Sequence, residues 1–446
     1  MALKALDIFK LLPKTNCKKC GAPTCLAFAM KLAQNQVKLA DCPDATDDAR
    51  AALEGAAAPP IRLMTIGRGA DQIEIGQETV MFRHDETFYH GPGIGVIIAD
   101  TLSDDELAAK VDAVRKLAFI RVGTEIKANV VAIDNVSGDP DRFAAAVAAA
   151  AGLDIPMILM SSQAAHLDAV LETVADKRPL IHAATEANVD ELAHIAKKHN
   201  CPLAVVAEDL ESTAALAEKV KSAGVEDIVL DLTCDSMLET LEALTAARRL
   251  ALKKKAPGLG YPCMTLSRGD NPLQNVAECC SFVSKYSAVV LTTLSAPEQI
   301  LPVLTVRQNV YTDPRKPIQV ESKVYEIGSV TQESPLMITT NFSLTYYTVE
   351  GEVEASRVPA HIAVIDTEGT SVLTAFASDK MTAENVTAFL NSDEVKSKVS
   401  HRKVIIPGYV AVMSGALKEE SGWDVMVGPR EASGISKYLK TVWQAA

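Results

Sequence analysis

From Gly93 onward the chain repeats one rhythm, a short β-branched run followed by a window whose apolar residues recur every three or four positions. The runs are "GVIIAD", "NVVAID", "PMILMS", "PLIHAA", "PLAVVAE", "DIVLDLT", "PCMTLS" and "AVVLTT". Helical windows such as "DDELAAKVDAVRKLAF", "STAALAEKVKSAG" and "MLETLEALTAARRLALKKK" lie between them, and "APEQILPVLTVRQNVY" closes the series. Eight strand-helix units over about 220 residues predict a TIM (β/α)8 barrel across 93–312, with an open doubly wound sheet as the alternative.

The pattern changes on both sides. "TDPRKPIQVE" reads as a linker over 313–324, and 325–446 then predicts a small open α/β domain. In it, "SPLMITTNFSLTYYTVEGEVE" is rich in Thr and aromatics, hence extended. "HIAVID", "TSVLTAF", "KVIIP" and "WDVMVG" follow as strands, alternating with helices at "TAENVTAFLNS", "SGALKEES" and "EASGISKYLKTVW". Its Gly-rich loops fall where strands end, the usual ligand position in an open α/β sheet. Before the barrel, 60–92 alternates and is punctuated by Gly, which predicts one or two hairpins in a linker. Residues 1–59 form a separate small unit ending in "DDARAALEGAAAPP", a helix tail broken at Pro59 and Pro60.

Composition narrows the partners. A length of 446 residues suggests several domains, and a net charge of -13 with no basic block argues against nucleic acid or an anionic membrane as the main partner. No apolar run reaches about eighteen residues, and the first residues lack a signal-peptide core, so the expectation is a cytoplasmic protein. Of nine cysteines, Cys201, Cys234, Cys263, Cys279 and Cys280 are scattered through apolar segments and read as packing residues. The other four, Cys17, Cys20, Cys25 and Cys42, sit in "TNCKKCGAPTCLAFAMKLAQNQVKLADCP" with the spacing C-x2-C-x4-C-x16-C.

That spacing suits a metal centre that helps to fold a unit too small to bury much apolar surface. Structural zinc usually arrives in two C-x2-C knuckles, and only one tight pair occurs here. Three cysteines within nine residues and a remote fourth before Pro43 favour a [4Fe-4S] cluster, with zinc or an empty site as the alternatives. In the barrel, Asp100, Asp134, Ser161, Glu208, Asp209, Thr233, Ser267 and Thr293 fall at predicted C-terminal strand ends, but no P-loop, G-x-S-x-G or Cys/His set accompanies them. His182 in "PLIHAA" reads first as a satisfied core histidine. The barrel is expected to be a scaffold.

The "CKKCGAPTC" cluster, the eight-unit barrel and the C-terminal segments "ITTNFSLTYYTVEGEV", "IDTEGTSVLTAF", "IIPGYVAVMSGALKEESGW" and "VGPREASGI" together resemble the large (gamma) subunit of the corrinoid iron-sulfur protein of the reductive acetyl-CoA pathway, and its archaeal relatives in the acetyl-CoA decarbonylase/synthase complex. The resemblance runs over essentially the full chain. It implies a methyl carrier, a component of methyl transfer rather than a stand-alone enzyme. Cobalt in a bound corrinoid would take methyl from methyltetrahydrofolate through a separate methyltransferase and deliver it to acetyl-CoA synthase, which works with CO dehydrogenase. A small subunit would complete a heterodimer and the corrinoid pocket. By the same resemblance Cys17, Cys20, Cys25 and Cys42 ligate a [4Fe-4S] cluster, and the corrinoid contacts are Thr340, Tyr346, Thr370, Ser371, Val372, Leu373, Gly408 and Ser433. Taken without the resemblance, "PG", "EG" and "ASG" are only turns.

None of the eight histidines follows an Asp by two residues, so D-x-H-x-x-G is absent and this chain offers no such ligand beneath cobalt. A base-off corrinoid reaches Co(I) more easily, and a low-potential cluster, fed by a reductant protein, would return Co(II) to Co(I). Alternation of the cluster unit with docked partners predicts a hinge around residues 57–60. Two rivals stay open: a barrel methyltransferase that binds pterin itself and carries an accessory cluster, and a plain iron-sulfur electron-transfer protein.

Overall fold

The computed structural model describes residues 5–33, 37, 41–46, 59–69, 72–313 and 317–443. Of the expected hinge, positions 57 and 58 lie outside the described residues, as does the helix tail over 47–58. The chain forms two compact units, one of residues 1–81, 89–112 and 129–294, the other of 82–88, 113–128 and 295–446. Among the described residues no helix is long and apolar enough to cross a membrane.

The first unit opens with two helices, α1 (Ala5–Leu11) and α2 (Cys25–Ala33), joined by the loop that carries Cys17 and Cys20. Their shared core is small: Ile8, Leu12, Ala22, Phe28 and Ala29 with Cys25 and Cys42. Next, β1 (Met64–Ile66) and β2 (Ile73–Ile75) pair as an antiparallel hairpin. The hairpin is a plug. Met64, Ile66 and Ile75 join Val130, Ile158, Leu180, Ala204, Val229 and Val289 in the barrel interior. Arg178, just before the fourth barrel strand, fixes it at the N-terminal end by donating to the Thr65 carbonyl (2.5 Å) and hydroxyl (2.8 Å).

The barrel is closed and all-parallel, in the order β3 (Gly93–Ala99), β6 (Val130–Asp134), β7 (Met157–Met160), β8 (Leu180–Ala184), β9 (Leu203–Val206), β10 (Ile228–Asp231), β11 (Cys263–Ser267) and β12 (Ser287–Thr292). All eight β-branched runs become these strands. Helices α3 (Asp104–Arg115), α4 (Pro140–Ala150), α5 (Ala164–Val174), α6 (Val189–His199), α7 (Leu210–Ser222), α8 (Met237–Arg249) and α9 (Pro272–Ser284) intervene. Two start where the sequence supplies an oxygen and a proline: Asp139 accepts from the Asp141 and Arg142 amides ahead of α4, and Asn271 from the Leu273 and Gln274 amides ahead of α9. The first helical window is shorter than its apolar pattern suggests. It ends at Arg115, and a hairpin of β4 (Ala118–Arg121) and β5 (Thr124–Lys127) follows.

The second unit holds that hairpin, α10 (Pro297–Tyr311) and a five-stranded sheet ordered β13 (Val324–Ile327), β15 (Ala360–Ile365), β14 (Leu336–Thr340), β16 (Lys403–Ile406) and β17 (Asp424–Val427). Only β13 runs antiparallel. Alternation along the strands builds two cores. Leu336, Ile338, Ala363 and Ile365 face α13 (Ala383–Leu390), α14 (Asp393–Lys398) and α15 (Ser414–Ser421). Met337, Ile362 and Val364 face α11 (Ser343–Ser356) and α16 (Ile435–Thr441).

Two expected strands are helices. The extended reading of "SPLMITTNFSLTYYTVEGEVE" holds through Thr340, after which α11 begins at Ser343. Tyr346 and Val353 recur at helical spacing and bury themselves in one core, so packing overrides the β-propensity of Thr and Tyr. "TSVLTAF" likewise contains α12 (Val372–Ala377), which buries Ala375 and is entered through extended Ser371.

Candidate functional site

The N-terminal loop is shaped by left-handed residues: Lys14, Asn16, Lys18 and Gly21 all have φ between 49° and 73°. This local geometry turns the chain around the thiols. The Asn16 side chain accepts from the Cys25 amide at 2.8 Å, while the Asn16 N–H donates to Cys25 Sγ at 3.4 Å. Cys25 also opens α2, where the positive end of the helix dipole favours a thiolate. The loop is tied to the Cys42 segment by Lys19 Nζ, 2.9 Å from Asp44 Oδ1. Asp44 is held below its ordinary pKa by Lys19 and then by the Cys17 thiol. Burial pushes the Cys42 thiol up, a backbone hydrogen bond from Asp44 opposes this, and the neighbouring Cys20, Cys17 and Cys25 thiols push it further, so the other three sulfurs all lie near that of Cys42.

Cys25 and Cys42 are buried, Cys17 and Cys20 are half-buried, and no disulfide joins any of the nine cysteines. Four convergent thiols with a backbone N–H on one sulfur fit a thiolate-ligated metal or cluster, since mutual repulsion on ionisation would be relieved by a central cation. Cys201, Cys263 and Cys279 are buried, as packing residues would be, and burial pushes the Cys201 thiol to about 11 and those of Cys263 and Cys279 to about 12. Cys234 differs, being exposed.

The second candidate lies in the C-terminal sheet. Chain order reverses between β14 and β16, and these two strands share a single register pair, Met337 with Ile405. An open cleft of about 390 Å³ occupies this switch point. Met337, Ile338, Ile405 and Ile406 line it from the sheet, Thr345 and Val349 from α11, and Ile435 from α16. Thr339 lines it as well, and its buried hydroxyl has no hydrogen-bond partner; nor have those of its neighbours Thr340 and Ser343. A mainly apolar wall carrying the unspent Thr339 hydroxyl fits a broad ring with amide substituents.

Of the eight expected contact residues, Ser371, Val372 and Leu373 line this cleft. Gly408 sits between lining residues Pro407 and Tyr409, and a Cβ there would come within 2.6 Å of the Gly428 carbonyl oxygen. Thr340 and Ser433 are one residue beyond lining Thr339 and Ala432. The Thr370 hydroxyl donates to the Thr367 carbonyl instead. Tyr346 is buried away from the cleft, bonded to Glu350 at 2.8 Å and packed on Tyr325. Sequence reasoning missed Met337, Ile405 and Arg430 on the wall, the first two because alternation alone does not say which strands separate.

One residue organises the approach loop. Buried Asn341 accepts from the Thr367 amide, the Thr367 hydroxyl and the Gly369 amide through Oδ1, at 3.0 to 3.1 Å. Its Nδ2 donates to Asp366 at 2.9 Å and Gln319 at 3.2 Å. Asn341→Leu strands the buried Thr367 and Gly369 donors, and chemical denaturation should show a loss of about 2–4 kcal/mol.

The barrel mouth is polar, but its side chains are engaged with one another. Asn135 and Ser137 donate to Asp100, and although burial works against it, these bonds hold its carboxyl below the ordinary range. Burial raises Asp134, with Arg268 opposing at 3.1 Å. His182 Nε2 lies 2.8 Å from Asp231, a partner 49 residues away that no local pattern could reveal. Ser267 donates to Glu278, and Asp209 caps α7.

The fold and these sites define a barrel protein with a four-thiol amino-terminal segment and a ligand cleft in a separate carboxy-terminal sheet. Residues 63–439 match the CdhD family model, described as CO dehydrogenase/acetyl-CoA synthase delta subunit, and residues 12–43 match a second model, FeS. The chain is 45% identical to the corrinoid/iron-sulfur protein large subunit of Moorella thermoacetica, over 99% of both chains. It is 36% identical to the acetyl-CoA decarbonylase/synthase complex subunit gamma of Methanothermobacter thermautotrophicus, over 98% of this chain and 99% of that one. The chain belongs to the family of these large and gamma subunits.

Proposed function

We propose that the chain is a methyl-carrier subunit of the acetyl-CoA pathway, holding a corrinoid in the cleft between β14 and β16 and a [4Fe-4S] cluster on Cys17, Cys20, Cys25 and Cys42. The observation that carries this reading is the switch-point cleft with the buried, unpartnered Thr339 hydroxyl on its wall, on the same chain as three thiols gathered near that of Cys42. Its partners would be a small subunit completing the pocket, a methyltetrahydrofolate methyltransferase, acetyl-CoA synthase with CO dehydrogenase, and a reductant protein. The names of the relatives support the first and the assembly with acetyl-CoA synthase.

When bound, a corrinoid supplies a cobalt centre that takes up and releases methyl, and a cluster supplies single electrons. The chain's own residues do the rest. The apolar faces of Ile338, Leu373 and Ile406 exclude water, and the hydroxyls of Thr339 and Ser371 are placed to meet amide groups. Ser371 stands at the entrance of α12 with its hydroxyl 3.1 Å from that of Thr374. His361 and His401 bond to the carbonyls of Thr331 and Ser334, and neither lines the cleft, in keeping with a base-off corrinoid without a histidine ligand from this chain.

The test is anaerobic purification with and without the co-expressed small subunit. Cobalt near one and iron near four atoms per chain are expected, as one corrinoid and one [4Fe-4S] cluster require. Iron alone in the co-expressed protein would favour a plain electron carrier, and tight folate binding by the isolated chain would favour a pterin-dependent methyltransferase.

A further inference from the structure

A second cavity, of about 280 Å³, lies beside the cleft and adds cationic side chains to a partly apolar wall. Leu344 lines both. Two guanidinium groups reach the second cavity from separate parts of the unit: Arg83 from the 82–88 segment and Arg121 from the end of β4. Each is held in place by neutral acceptors. Arg121 Nη1 donates to Gln308 Oε1 at 2.5 Å and Asn309 Oδ1 at 3.2 Å, and Arg83 Nη1 donates to the Asn309 carbonyl at 2.7 Å. Neutral oxygens orient a guanidinium without cancelling its charge. Among the described residues neither arginine has a carboxylate within ion-pair distance, although the Asp313 carboxylate is also on the wall.

The far wall is the start of α11. This fourteen-residue helix has Phe342 at its N-cap and no side-chain cap; the Ser343 N–H donates to the Ile318 carbonyl and that of Tyr346 to Phe342, which leaves the Leu344 and Thr345 N–H groups and the positive end of the helix dipole at its start. Ser343, the first helical residue, is 1% exposed, lines the cavity, and its hydroxyl has no partner. A buried donor is left unspent where two oriented cations and a helix start converge. Arginine pairs, helix N-termini and a hydroxyl are the donors that tetrahedral oxyanions use.

We propose that this cavity binds a phosphoryl anion, through Arg83, Arg121, the Ser343 hydroxyl and the first turn of α11. The anion has two possible sources: the phosphodiester in the nucleotide loop of a corrinoid seated in the adjoining cleft, or a separate phosphate or phosphoester. The first source rests on the function proposed above; the site itself does not.

The experiment titrates the full chain with inorganic phosphate at low ionic strength, by calorimetry, and then with cobalamin and with cobinamide, which lacks the nucleotide loop and its phosphate. Saturable phosphate binding is expected, weakened about tenfold by Arg121→Gln or by Arg83→Gln through loss of a charge-assisted hydrogen bond and retained largely by Arg121→Lys. Ser343→Ala should weaken phosphate binding while raising the ligand-free melting temperature, because it deletes an unsatisfied buried hydroxyl; this readout does not depend on an arginine variant folding. Cobalamin weakened by Arg121→Gln with cobinamide unaffected supports the site and identifies the corrinoid's phosphodiester as the source. Arginine-dependent phosphate binding with cobalamin indifferent supports it with a separate phosphoester. Absence of saturable phosphate binding, together with cobalamin affinity unchanged in both arginine variants, overturns the proposal. Failure of both corrinoids to bind, with or without the small subunit, would overturn the functional reading and leave the phosphate result standing.

Discussion

Cys42→Ala should remove the iron from the anaerobically purified protein and unfold residues 5–46 while the barrel keeps its cooperative melt. The apolar core shared by α1 and α2 consists of a few side chains, among them Ile8, Leu12, Phe28 and two of the cysteines themselves. A core of that size supplies at most about 3–5 kcal/mol of net stability, whereas thiolate–metal binding contributes on the order of 10 kcal/mol to folding. Cys42 is 4% exposed and comes from a segment well separated in sequence from the other three thiols, so its loss breaks closure as well as ligation. Iron analysis and hydrogen exchange over residues 5–33 measure the two effects. Retained protection there with the iron gone would mean that the helices fold on their own.

The second large effect concerns the barrel. Arg248 on α8 and Glu78 are paired at 2.6 Å with side-chain exposures of 4% and 10%, and Arg248 also donates to the Val80 carbonyl and stacks over Tyr286, 4.9 Å from the ring centroid. Tyr286 in turn donates to the Met81 carbonyl. These bonds strap residues 78–81 to the barrel. Arg248→Met leaves a buried carboxylate without its cation and should destabilise the barrel by about 3–5 kcal/mol in denaturant titration. The double variant Arg248→Met with Glu78→Leu should recover most of that loss, since neither charge then remains buried. A double variant as unstable as the single one would show that the Val80 bond and the Tyr286 stacking, not the pair, hold the strap.

The barrel was legible because its signal is repetitive: "PMILMS" or "DIVLDLT" is ambiguous alone, but eight such runs at regular intervals admit few topologies. The thiol set was legible for a similar reason, since spacing restricts what four cysteines can hold. What could not be read were features decided by distant residues. The helix from Ser343 hides in a Thr- and Tyr-rich stretch because its fate depends on the core that Tyr346 and Val353 enter. Tyr346 was expected at the cleft from its motif, yet it is buried in the core beneath with Met337, Ile405 and Ile435, bonded to Glu350 and packed on Tyr325. The hairpin at Ala118–Lys127 was hidden because "KLAF" continues a helical rhythm that the chain abandons at Arg115. Arg83 and Arg121 carry no local signal at all; only the fold sets them against one helix start.

The single register pair between β14 and β16 makes the carboxy-terminal sheet a book of two leaves, three strands on one side and two on the other, creased at Met337 and Ile405. Elsewhere in the sheet each neighbouring pair is stitched along four or five residues. A guest meeting the crease therefore disturbs few ladder hydrogen bonds, and what binds leaf to leaf there is side-chain packing: Leu336, Ile338, Val404 and Ile406 share one core, Met337 and Ile405 the other. The stitching that keeps each leaf flat lies away from the crease.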